Sequence, residues 1–116
     1  MIALLGLAWL PCIAGAQAYK PKFDLKALAI IAEGQRLFNR SCAGRCHGVD
    51  GQEGFDGPIL FGKTYLDPPY IFVTLMTGRP GSAMPPWTGR LPDDELWKII
   101  AFVSSLGDQA RAASGK

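Results

Sequence analysis

The 116-residue chain contains a single histidine and only three cysteines. A side-chain zinc cage needs about four such ligands, and no Cys or His follows His47. An excess of one charge sign is also lacking. Twelve basic residues face ten acidic ones, and no basic stripe or aromatic–basic interleaving marks a nucleic-acid partner. Internal repeats and low-complexity stretches are absent. So is an uninterrupted apolar run of the ~20 residues that cross a bilayer: Met1 to Ala18 carries no charged side chain, but Pro11 breaks it. The length suits one small domain, whose core is marginal if built from side chains alone.

What the chain does have is concentrated in Cys42-Ala43-Gly44-Arg45-Cys46-His47. Two thiols followed at once by an imidazole form the pattern that attaches c-type haem, here C-x-x-x-C-H instead of C-x-x-C-H. Each thiol can add to a porphyrin vinyl group, and the imidazole then reaches the iron from one face. Residues three or four apart share a helix face, so both spacings present two sulfurs to one ring edge. Gly44 is the residue best able to absorb the extra position. The rival readings are a Cys42–Cys46 disulfide, a zinc site, and attachment through Cys46 alone with Cys42 free. A covalent haem would supply the apolar centre that a small chain lacks. The 14 glycines and 9 prolines suit a loop-rich wrap around it better than a regular sheet.

Residues 1–18 read as an export signal. Ile2–Leu10 is an apolar stretch, and Ala14-Gly15-Ala16 or Ala16-Gln17-Ala18 offers a cleavage site, with cleavage expected after Ala18. The usual basic residue near Met1 is missing, and a retained membrane anchor is the alternative. Cys12 reads as a small apolar residue of that segment. Residues 19–27 read as a linker, 28–107 as the folded domain and 108–116 as a flexible tail. Asp24 is a candidate cap for a first helix in which Leu25, Leu28, Ile31, Leu37 and Phe38 recur at helical spacing. Gly34 within it is either a weak spot or a point of close backbone approach.

After His47 comes a glycine-rich loop ending in Gly57-Pro58-Ile59-Leu60. An iron-bound histidine needs an acceptor on its second nitrogen, and Pro58 offers a carbonyl. Asp67 caps a short helix that has Pro68 at its first position and stops at Gly78. Arg79 to Trp87 holds three prolines and forms a rigid loop that presents Met84, a soft thioether ligand suited to haem iron. Met76 is the other methionine candidate, on a helix where core packing is the default. Asp93-Asp94-Glu95 opens the last helix, whose apolar face is Leu96, Ile99, Ile100, Val103 and Leu106, with Gly107 as its stop.

Taken together, Gly34-x3-Phe38-x3-Cys42, the haem motif, Gly57-Pro58-x-Leu60, Met84-Pro85-Pro86-Trp87 and Ala101-Phe102-Val103 resemble a class I cytochrome c of the small bacterial monohaem type. The resemblance runs from about Glu33 to Leu106. It implies an all-α fold of three to five helices around one covalently bound haem c, with His47 and Met84 as axial ligands. It also implies that the Pro58 carbonyl holds His47 and that Phe102 packs against Gly34 and Phe38. Cys42, Cys46, Pro58, Leu60, Arg79 and Trp87 complete the expected cofactor site. Arg79, Tyr65, Tyr70 and Trp87 are candidates to hold the propionates. Pro92 departs from the Ser or Thr cap of many relatives.

The expected function is periplasmic electron transfer rather than catalysis. The partner would be a redox protein (a dehydrogenase, an oxidase or another cytochrome), and the membrane would be involved only if residues 1–18 are retained. The alternatives are a haem-bearing relay subunit of a larger periplasmic oxidoreductase, and a ligand-binding or peroxidatic haem protein in which Met84 leaves the iron.

Overall fold

A computed structural model describes residues 20–115; the export-signal reading of residues 1–18, with Cys12 and the cleavage point at Tyr19, lies outside them. Three α-helices carry the fold: α1 (Leu28–Phe38), α2 (Pro68–Thr77) and α3 (Asp93–Ser114). Among the described residues there is no strand, only an isolated bridge between Thr88 and Leu91. The all-α expectation therefore holds.

α1 begins later than Asp24. The Asp24 carboxylate accepts from the Lys26 amide (2.9 Å) and its carbonyl from Ala27 (3.2 Å), so it closes a turn ahead of the helix. Ala27 takes the cap position without a side-chain bond. Leu28 is 83% exposed and does not belong to the core face. That face is Gly34 with Leu37 and Phe38 three and four residues on, all buried, and Ile31 partly buried against the core.

α3 is the central helix, buried on more than one side through Leu96, Ile99 to Ser104, Leu106 and Gly107. Its first turn is acidic, matching the positive end of the helix dipole, and Pro92 precedes it without a capping side chain. The helix does not stop at Gly107. It continues to Ser114, so residues 108–114 are helical rather than a loose tail. Gly107 instead permits a close approach: a Cβ there would run into the Leu66 carbonyl.

α1 crosses α3 at Gly34. A Cβ on Gly34 would clash with the Lys98 carbonyl and stand 3.1 Å from the Phe102 Cβ. The close approach is thus mainly to the backbone of α3. The Phe102 ring lies against Phe38, with centroids 5.3 Å apart. Phe38, Leu37, Ile99 and Ile100 are the largest fully buried side chains and fill this crossing.

Candidate functional site

Directly after α1 the chain keeps turning but widens. Asn39–His47 forms a helical stretch broader than an α-helix, and Gly48 N–H bonds back five residues to the Ala43 carbonyl (2.9 Å). The widening includes one departure from helical geometry, at Gly44 (φ 3°, ψ −113°). A residue without a Cβ takes this conformation most readily, and Gly44 faces open space. The extra residue between the cysteines is absorbed here.

Cys42 and Cys46 are both free thiols, so no disulfide joins them. Burial pushes the Cys42 thiol up to about 12, with the neighbouring Cys46 adding to the effect. No cluster of three or more His, Cys, Asp or Glu side chains gathers among the described residues, which leaves the zinc reading without a ligand set.

His47 is 8% exposed. Its Nδ1 lies 2.8 Å from the Pro58 carbonyl. A carbonyl only accepts, so Nδ1 carries the proton and Nε2 keeps its lone pair. Gly57 lies flat against the ring: a Cβ on it would come within 2.6 Å of Cε1 and 3.1 Å of Nε2.

The loop that delivers Pro58 is tied back to α1 by residues the sequence reading did not single out. Gln35 Nε2 (2.9 Å) and Asn39 Nδ2 (2.8 Å) both donate to Asp50 Oδ1, and Asp50 N–H donates to Asn39 Oδ1 (2.9 Å). These bonds, Asn39 first, hold the Asp50 carboxyl below the ordinary carboxylate range. They also hold Asp50 at positive φ (56°). Leu60 and Phe61 then donate to the Gly51 carbonyl (2.9 and 3.0 Å). Asp50-Gly51 reads as a turn in sequence, but its partners are eleven and fifteen residues away and leave no local signal.

The second wall comes from α2 and the loop after it. The Asp67 carboxylate caps α2 by accepting from Tyr70 N–H (2.9 Å), with Pro68 in the first turn. Gly78 ends the helix at positive φ (63°). The following loop closes on itself. Arg79 N–H donates to the Met84 carbonyl (3.1 Å), the Ser82 hydroxyl to the Arg79 carbonyl (2.7 Å), and Met84 N–H to Ser82 Oγ (3.2 Å). Trp87 N–H donates to the Leu75 carbonyl (2.7 Å), clipping the loop to α2.

These walls enclose a cavity of about 410 Å³. All eight residues expected from sequence line it: Cys42, Cys46, His47, Pro58, Leu60, Arg79, Met84 and Trp87. Tyr65 and Tyr70 line it as well, whereas Met76 does not. Met76 packs against the core and borders a smaller hollow beside Phe72 and Trp97. The indole Nε1 of Trp87 is buried without a protein hydrogen-bond partner among the described residues. A buried orphan donor is costly unless an acceptor meets it. The donor set therefore fits a haem: two thiols for the vinyls, a nitrogen and a thioether sulfur for the iron, and an indole N–H with Arg79 for carboxylates.

Comparison with known proteins gives the same family. Residues 29–103 match the family described as cytochrome c oxidase, cbb3-type, subunit III. The chain is 33% identical over 81 residues to cytochrome c6 of Diacronema lutheri, a stretch covering 65% of this chain and 94% of that protein. It is 32% identical over 82 residues to the cbb3-type cytochrome c oxidase subunit FixP of Rhizobium meliloti (strain 1021). That match covers 67% of this chain and spans only 28% of the length of FixP. No solved structure matches it significantly.

Proposed function

This chain belongs to the class I cytochrome c family, whose members bind haem c covalently, and from that premise we propose that it is an exported electron carrier. When bound, haem c supplies an iron that changes by one electron between two oxidation states. The chain's own residues do the rest. Cys42 and Cys46 would form the two thioethers, and His47 would offer Nε2 to the iron because Pro58 holds Nδ1 (2.8 Å). Met84 presents its sulfur from the closed loop. Trp87 Nε1 and Arg79 take the propionates, with Tyr65 and Tyr70 beside them. With His47 and Met84 both holding the iron, the site would serve electron transfer rather than substrate turnover. The thioether ligand and the Pro-rich loop around it raise the potential.

The observation that carries this reading is the meeting, in one cavity, of the thiol pair, a histidine with Nδ1 anchored, and Met84 on a self-closed loop. The test is optical. Oxidised protein is expected to show the weak near-infrared iron–sulfur charge-transfer band. Met84→Ala should abolish it and Met76→Ala should keep it; the reverse result would reassign the ligand.

The similarity to FixP favours a second reading, in which the same domain relays electrons inside a periplasmic oxidase complex. Purification of the tagged protein from its host separates the two. A stable stoichiometric oxidoreductase complex would indicate the relay subunit, and a monomeric haem protein the free carrier.

A further inference from the structure

The last turns of α3 lie beyond the matched residues 29–103, yet they reach the backbone of a segment that carries cavity-lining residues. Arg111 Nη1 donates to two backbone carbonyls, those of Thr64 (2.8 Å) and Leu66 (3.1 Å), while Nη2 bonds Asp108 Oδ1 (2.6 Å). The residue between those carbonyls is Tyr65, and both Tyr65 and Leu66 line the cavity. The Tyr65 ring stands edge-on to Tyr70, with centroids 5.2 Å apart. Leu66 is 2% exposed.

Apart from the buried Leu66 side chain and the Tyr65–Tyr70 contact, the segment is weakly fixed. No helix lies between Gly51 and Pro68. The backbone bonds within the segment are long, Lys63 N–H to Leu60 O at 3.3 Å and Leu66 N–H to Lys63 O at 3.5 Å. At Leu66 the backbone also lies close against Gly107 of α3. The guanidinium suits the task because its planar fork serves several acceptors at fixed angles, which an ammonium does not.

We propose that Arg111 is a positioning residue for the haem crevice: by pinning Thr64–Leu66 it keeps that wall closed and holds the reduction potential up. The proposal rests on the reading of the cavity as the haem site. Its physical basis is burial. If the segment lifts, water reaches the cofactor and stabilises the more highly charged oxidised state, and the potential falls.

The experiment compares holoprotein variants by redox titration and by hydrogen exchange at the amides of residues 60–66. Arg111→Ala is expected to lower the midpoint potential and speed exchange in that segment, with helix content and the near-infrared band unchanged. Arg111→Lys should recover only part of the potential. Lys26→Ala, which breaks the exposed Lys26–Asp108 pair (3.6 Å) at the same helix end, should change neither quantity. If Arg111→Ala accumulates no holoprotein, Arg111→Gln makes the same comparison. A wild-type potential in the Arg111 variant overturns the proposal. So does a fall in potential without faster exchange at 60–66, or an equal fall in Lys26→Ala. A wrong ligand assignment would appear in the spectrum of the wild type itself; failure of this proposal appears only in the difference between variant and wild type.

Discussion

His47 depends on an atom eleven residues away. The Pro58 carbonyl decides which ring nitrogen carries the proton, and Gly57, lacking a Cβ, leaves space for the ring beside it. Pro58 itself is exposed, so its side chain contributes little burial; what the site uses is a main-chain oxygen held in place by the loop. The thiols pose a different question, since three residues separate them instead of two. The wide turn and the non-helical Gly44 take up that residue where a Cβ would meet nothing. Both sulfurs are therefore expected to be bonded to haem. The alkaline pyridine spectrum of the reduced haem checks this: two saturated vinyls give the ordinary c-type band position. A band at longer wavelength, with Cys42 open to thiol labelling in the denatured protein, would show attachment through Cys46 alone.

At the scale of elements, two ties position the site. The first is the α1–α3 crossing. Gly34→Val places atoms where the Lys98 carbonyl already stands, and backbone cannot rotate away as a side-chain tip can. A loss of about 1–3 kcal/mol is expected from such overpacking, read from denaturant unfolding of the holoprotein; an unchanged midpoint would count against the crossing. The second tie is Gln35 and Asn39 on Asp50. Because the Asp50 carboxyl is held below its ordinary value, its stabilisation is complete above the unfolded carboxylate range and is lost as pH falls through the lowered folded value. Asn39→Ala should therefore be less stable than wild type at neutral pH, by an amount that shrinks on acidification. The remainder at low pH reflects the Asp50 N–H bond to Asn39 Oδ1, which does not titrate. Unfolding curves at neutral and acid pH would reveal this; a constant difference would argue against a charged Asp50 in the network. Only part of these ties is legible in sequence. The cap at Asp67 follows from local chemistry, whereas at Gly34 local chemistry leaves a weak spot and a close approach both open. Phe102 as a neighbour of Gly34 is implied by the family resemblance, but the tighter contact with the Lys98 carbonyl is not, because a backbone atom on another helix has no residue type to betray it. Gly107 reads as a helix stop for the same reason: glycine serves both endings and close contacts, and the contact here is with Leu66, far back in the chain.

For the whole molecule, the order of motifs was readable because haem attachment requires neighbouring residues and the distal ligand needs a stiff loop. The bonds that hold the cavity shut, from Asn39 to Asp50 and from Arg111 to Thr64 and Leu66, join distant stretches and emerge only in three dimensions. Among the described residues no helix is long and apolar enough to cross a membrane. Export is therefore tested at the chain's beginning: Edman sequencing of the protein purified from its host is expected to start at Tyr19, and an intact Met1 in the membrane fraction would show a retained anchor. The closed loop from Arg79 to Met84 has a kinetic consequence. Each of its turns is bonded to another part of itself, and Trp87 fastens it to α2. Met84, as the ligand proposed above, would keep nearly the same position in either oxidation state. Electron exchange is slowed by every nucleus that must shift between the two states, and a ligand on so closed a loop would shift little. With Met84 on the iron as proposed, the reorganisation barrier would be low for any partner that comes close enough.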